Sequence, residues 1–113
     1  MIKIYHNARC SKSRQGLAIL ENEAVEFETI KYLETPLSIE ELKAIIKTLN
    51  IAPIDLVRKG EAIWKENYKG QELTDSQILE AMIKHPKLIE RPIVINNNQG
   101  IIGRPPENIK SIL

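Results

Sequence analysis

The sequence predicts an α/β fold with a mixed central sheet, running βαβ, then a helical insert, then ββα. Three observations carry this. Short strand-like runs stand near both ends of the chain, at Ile2, Lys3, Ile4 and at Ile93, Val94, Ile95. Two explicit helix starts, Ser38 with Glu41 and Thr74 with Gln77, lie between them. A strand-helix-strand opening favours a parallel pair with a right-handed crossover, whereas the late hairpin must run antiparallel.

Ile2 to Tyr5 reads as a short buried strand, and residues 7–10 as a loop ending where a helix begins. In that helix Leu17, Leu20 and Ala24 recur at i, i+3 and i+7, one face at a period of 3.6. Gly16 lies inside it at a cost of about 1 kcal/mol against Ala, which points to close packing on a neighbour. Val25, Phe27 and Thr29 alternate with Glu26 and Glu28, the period-2 signature of a half-buried strand.

The two capping boxes open helices whose apolar stripes are Leu42, Ile45, Ile46, Leu49 and Ile78, Leu79, Met82, Ile83. Residues 53 to about 68 read as one or two short helices broken near Gly60. After His85-Pro86 the chain returns to a strand at Ile93, Val94 and Ile95, turns through residues 96–100, and continues in Ile101 and Ile102. Pro105-Pro106 then suits the first turn of a last helix. This order resembles the thioredoxin-like arrangement, with Pro92 where that fold usually holds a cis-proline. Residues 1–113 are expected to form a single domain with a helical insert over about 38–85.

Composition excludes several classes. At 113 residues the chain suits one domain and needs no disulfide or structural metal to fold. Sixteen basic residues against fifteen acidic ones give no field that would draw it onto nucleic acid or an anionic membrane. No apolar run approaches a membrane span, and Met1 opens directly into strand-like residues rather than a leader, so a cytoplasmic location is expected.

Cys10 is the only cysteine. An internal disulfide and a thiolate-rich zinc site are therefore ruled out, and any thiol redox chemistry must recruit a second thiol from another molecule. Its place at a strand-to-helix junction favours the thiolate, because the helix N-terminus offers partial positive charge and free amides. An ordinary thiol near 8.5 is only about 3% ionised at pH 7. Arg9, Lys12 and Arg14 crowd the loop and His6 stands four residues back, all expected to lower the pKa further. A buried structural cysteine would sit badly between such polar, cationic flanks.

Only five of the sixteen basic residues are arginine: Arg9, Arg14, Arg58, Arg91 and Arg104. Arg91 precedes Pro92 and Arg104 precedes Pro105, so both occupy stiff turns at element boundaries. A planar fork of donors in such a setting suits bidentate capture of a tetrahedral oxyanion. The spacing from Cys10 to Arg14 does not make the phosphate loop of tyrosine phosphatases. A site shared by His6, Cys10 and His85 lacks a specified fourth ligand for a metal. No Gly-rich nucleotide loop is present, and no cofactor is expected to be bound.

Five separated blocks, YHNARCSKSR at 5–14, YLETPL at 32–37, LVRKGE at 56–61, HPKLIERPIV at 85–94 and GRPPE at 103–107, resemble the glutaredoxin-coupled arsenate reductase family along the whole chain. The resemblance implies a thioredoxin-like fold, Cys10 as nucleophile, His6 as the histidine that helps ionise it, and Arg58, Arg91 and Arg104 as oxyanion ligands. It also implies arsenate as substrate, glutathione as co-substrate and glutaredoxin as partner. Ala8 departs from the proline that many members carry, so the approach to Cys10 is less stiff than the pattern implies. The alternative is an Spx-type regulator, or another oxyanion- or thiol-binding protein of the same fold. Redox-switched regulators of that type carry C-x-x-C, whereas here the third position after Cys10 is Ser13.

Overall fold

The computed structural model describes residues 1–113 and divides into two compact units, Met1–Thr35 with Arg91–Leu113, and Pro36–Glu90. The first unit holds the sheet. Its elements are β1 (Ile2–Tyr5), α1 (Ser11–Asn22), β2 (Phe27–Ile30), β3 (Ile93–Asn96), β4 (Gln99–Ile102) and a closing 3₁₀ segment, Pro106–Ile112. The strand order is β2-β1-β3-β4. β1 pairs parallel with β2, antiparallel with β3, and β3 pairs antiparallel with β4, which is the mixed sheet expected from the element order.

Alternation along β1 places Ile2 and Ile4 on one face, in a core with Leu20, Val94, Ile109 and Ile112. The register makes this possible, since Ile4 lies opposite Val94 and Val94 opposite Ile101. Gly16 of α1 shows why that helix tolerates a poor helix former. A Cβ there would stand 2.8 Å from Pro92 Cγ and 2.9 Å from Ile109 Cδ1. Gly103 meets the same two side chains from its own side, at 2.9 Å and 3.0 Å. Pro92 and Ile109 are thus clasped between two glycines, and the Arg91–Pro92 and Arg104–Pro105 peptides on either side are both cis.

Several expectations shift in detail. α1 ends at Asn22, and Ala24 lies beyond it in the left-handed region, φ 56°, closing the helix through an N–H bond to Glu21 O. The buried stripe of α1 is therefore Ser13, Gly16 and Leu20, and Ala24 is exposed. β2 begins two residues later than the alternation implies, and Thr29 at this sheet edge is exposed. The β3–β4 turn is tighter than expected, because Asn96 and Gln99 pair directly and Asn97 takes φ 56°. The last segment is 3₁₀ rather than α, tied to the hairpin by Asn96 Nδ2–H donating to Ile112 O at 2.6 Å.

The second unit is helical: α2 (Ile39–Leu49), a 3₁₀ turn at Pro53–Leu56, α3 (Ala62–Asn67), α4 (Asp75–Lys84) and a 3₁₀ turn at Pro86–Leu88. Both capping boxes form in full, with Glu41 N–H on Ser38 Oγ at 3.1 Å and Gln77 N–H on Thr74 Oγ1 at 3.2 Å. Each such cap is worth about 1 kcal/mol. The break near Gly60 falls between the first 3₁₀ turn and α3, as read from the sequence. α4 packs on α2 and on both 3₁₀ turns, burying Leu42, Ile45, Ile46, Leu56, Leu79, Met82 and Leu88.

Candidate active site

The loop that carries Cys10 is fixed at both ends by backbone. His6 N–H donates to Ile30 O at 2.9 Å, extending the β1–β2 pairing one residue past the strand, and Cys10 N–H donates to Asn7 O at 3.0 Å, closing a turn. Cys10 is the N-cap of α1, with φ −95° and ψ 124°. An N-cap side chain normally offers an oxygen to the first free amides of the helix. Here that position is filled by sulfur.

Sγ makes no formal capping hydrogen bond, yet the N–H groups of Ser13 and Lys12 lie where they favour its anion. Partial burial pushes the thiol pKa up, but the Ser13 amide, a hydrogen bond from the Arg91 side chain, the Lys12 amide and the Arg91 charge together bring it down to about 7. The thiolate is therefore a major species at neutral pH. Arg91 is itself 7% exposed, so its charge acts in a medium that screens it poorly.

Arg104 completes the cluster. Its Nη1 stands 3.9 Å from Cys10 Sγ and donates to the carbonyl oxygen of Arg91 at 3.2 Å. Two local bonds set the turn that presents it, Gly103 N–H on Pro92 O at 2.8 Å and Arg104 N–H on Ile102 O at 2.9 Å. The clasp of Gly16 and Gly103 around Pro92 holds the Arg91 and Arg104 turns against the helix that starts at Cys10.

His6 reaches the sulfur only indirectly. It is 4% exposed, and its Nδ1 lies 2.7 Å from the hydroxyl of Ser13, which also accepts the Asn7 N–H at 2.9 Å. Burial, the Lys31 charge and the Arg14 charge lower the His6 pKa from 6.5, against an opposing backbone hydrogen bond with Ser13. His6 is therefore mainly neutral at pH 7, so its link to Cys10 is through Ser13, whose own amide faces the sulfur.

Arg9, Lys12 and Arg14 are expected from the sequence to acidify the thiol. The structure reassigns that work: Lys12 acts through its backbone N–H, Arg9 and Arg14 are exposed, and Arg14 Nη1 donates to Ala8 O at 2.9 Å. Solvent screens such exposed charges. Ser13 and Asn7 are the residues that sequence reasoning passed over. The available signal for Ser13 is its place on the i, i+3, i+7 stripe with Gly16 and Leu20. Of the expected oxyanion ligands, Arg91 and Arg104 converge on Cys10, while Arg58 belongs to the second unit, where its Nη1 stands 3.8 Å from Glu90 Oε1.

The cluster offers a nucleophilic sulfur beside two guanidinium groups, a pairing suited to a tetrahedral anion. A family model described as ArsC family matches residues 5–112. Among solved structures, an arsenate reductase from Vibrio cholerae is 47% identical with a TM-score of 0.94, covering 99% of this chain and 97% of that one. The uncharacterized protein YfgD of Escherichia coli K12 is 43% identical over 114 residues, 99% of this chain and 96% of its own length. An arsenate reductase of Neisseria meningitidis serogroup B is 42% identical over 114 residues, with 99% and 97% coverage. The fold shared with these proteins is the thioredoxin-like one expected from the element order.

Proposed function

The chain belongs to the ArsC family, and we propose that it reduces arsenate to arsenite through Cys10, with glutathione and glutaredoxin supplying the electrons. The observation that carries this reading is the convergence of Arg91 and Arg104 on a sulfur whose pKa is about 7. A thiolate meeting an anionic substrate is opposed by charge repulsion, and guanidinium donors aimed at the same place offset it.

In this proposal Arg91, Arg104 and Arg58 bind the arsenate oxygens, and Cys10 Sγ attacks arsenic. An S–As bond forms, and one arsenate oxygen takes up protons and leaves as water, with arsenic still pentavalent. The thiol of glutathione then attacks arsenic to give a mixed adduct, its proton and a second arsenate oxygen leaving as another water. The sulfur of a second thiol, carried by glutaredoxin, takes the glutathione sulfur as a disulfide, and the electron pair of the broken As–S bond reduces arsenic to the trivalent state. A water molecule then attacks the trivalent arsenic and displaces the Cys10 sulfur as thiolate, so that arsenite departs with one water consumed of the two released. The sum is one arsenate and two thiols giving one arsenite, one disulfide and one water.

His6 is assigned the positioning of Ser13, and through it the amide that faces Cys10. The deciding experiment is a coupled assay of arsenate reduction with glutathione, glutaredoxin and an NADPH-driven recycling system, beside a Cys10→Ser control. Arsenate-dependent NADPH consumption that vanishes in the control supports the proposal, and none in the wild type refutes it. Replacing glutaredoxin by a thioredoxin system tests the choice of reductant.

A further inference from the structure

Arg58 is the expected oxyanion ligand carried by the second unit, and its surroundings there single out a neighbour. Val57 and Ile89 form an isolated antiparallel bridge. Two short backbone bonds flank it, Arg58 N–H on Leu88 O at 2.7 Å and Glu90 N–H on Leu56 O at 2.8 Å. Arg58 and Glu90 therefore project from two locked backbones on the same side of the bridge, within reach of each other as diagonal cross-strand neighbours.

Their contact is unusual. Arg58 Nη1 lies 3.8 Å from Glu90 Oε1, beyond hydrogen-bonding distance, and Nη1 is buried with no hydrogen-bond partner. Buried guanidinium nitrogens are normally hydrogen-bonded, because leaving one unmet costs free energy. The carboxylate thus compensates the charge of Arg58 and restrains its head without consuming a donor. About a quarter of each side chain is exposed, 27% for Arg58 and 23% for Glu90, while Nη1 itself is buried.

We propose that Glu90 is a positioning residue for anion binding, its carboxylate tethering the Arg58 guanidinium by charge while leaving the donor fork unspent. The proposal rests on the reading of Arg58 as an oxyanion ligand. Arginine has large rotamer freedom, and a side chain already restrained loses less of it when an anion is bound. A full hydrogen-bonded ion pair would have the opposite effect, since the anion would first have to displace the carboxylate.

The test compares the full chain with Glu90→Gln, Glu90→Asp, Arg58→Ala and Arg58→Ala/Glu90→Gln. Two quantities are read: the arsenate KM against kcat, and the arsenate concentration that protects Cys10 from iodoacetamide. Glu90→Gln, which keeps the shape and removes the charge, is expected to raise both KM and the protection constant at least about threefold. kcat should change less than KM, and Glu90→Asp should recover most of the loss. In the Arg58→Ala background Glu90→Gln should add nothing. Equal or tighter arsenate binding by Glu90→Gln overturns the tether, as does an undiminished penalty in the absence of Arg58. If Arg58→Ala alone leaves arsenate binding unchanged, the assignment of Arg58 as a ligand fails, and the tether falls with it.

Discussion

Arg104 Nη1 stands 3.9 Å from Cys10 Sγ across 94 positions of sequence, and the same nitrogen donates to the carbonyl of Arg91 at 3.2 Å. Arg104 is thus braced on the backbone of the other arginine that faces the sulfur. The two arginines nonetheless act on Cys10 differently. Arg91 donates a hydrogen bond and supplies charge from a buried position, whereas Arg104 is exposed and its approach to Sγ is long.

Arg91→Ala is accordingly expected to raise the Cys10 pKa, because it removes both a hydrogen bond and a buried charge that favour the thiolate. Arg104→Ala should leave that pKa nearly unchanged and mainly weaken arsenate binding. Alkylation rate against pH, measured beside arsenate KM for both variants, separates the roles. Equal displacement of the thiol titration by the two variants refutes the division.

Alkylation of the wild-type protein should titrate with a midpoint of about 7. The sign follows from an acid whose folded pKa is depressed: thiolate predominates above the midpoint and is lost as pH falls through it. The same depression contributes stability that is complete above the unfolded pKa near 8.5 and disappears as pH drops below about 7. A midpoint near 8.5 excludes activation by the Ser13 and Lys12 amides and by Arg91.

His6 provides a second pH-dependent contribution. Its folded pKa lies below 6.5, mainly through burial, so the unfolded chain binds the proton first as the solution is acidified. Stability should fall as pH drops below about 6.5, and His6→Gln should flatten that part of the curve. Urea midpoints measured between pH 7.5 and 5 for both proteins provide the check, with parallel curves counting against the assignment.

Gly16→Ala should destabilise the fold although alanine is the better helix former. The gain in propensity is about 1 kcal/mol, while forcing a methyl group into a filled space costs about 1–3 kcal/mol. Ile109 Cδ1 is the end of a flexible side chain and can turn away, but Pro92 Cγ belongs to a ring that cannot. Ile109→Val in the same chain should therefore recover only part of the loss, as read from denaturation midpoints. A Gly16→Ala protein as stable as the wild type would mean that the glycine clasp carries no energetic weight.

Much of this architecture was legible in residue order. Ser38 and Thr74 announce their helices because a capping box is a local chemical device, and Ile2 through Tyr5 announce β1 because a short run with isoleucines at alternate positions bounded by a polar loop suits a strand. Pairings such as Ile4 with Val94 follow once βαβ and ββα units share one sheet. The site was legible in part. Cys10 and the two Arg-Pro turns stood out by residue type and position, and the packing of Gly16 by its placement inside a helix. The means by which the thiol is acidified was not, since it depends on which charges are buried. Sequence position does not reveal that Arg14 bonds an exposed carbonyl while Arg91 sits almost wholly out of water. Ser13 was obscured for a related reason: its hydroxyl matters through His6 and Asn7, which share no local pattern with it.

The position of β3 in the chain has a consequence for biosynthesis. β1 pairs with β3 across about ninety residues of intervening chain, and both arginines that face Cys10 lie in the segment Arg91–Leu113. A ribosome releases the cysteine long before it releases those partners. Until the later segment docks beside β1, the nascent thiol lacks Arg91 and behaves more like an ordinary cysteine, and the sheet lacks two of its four strands. Reactivity at this sulfur is thereby coupled in part to completion of the fold: the Ser13 and Lys12 amides come with α1, and the share supplied by Arg91 arrives only with the later segment.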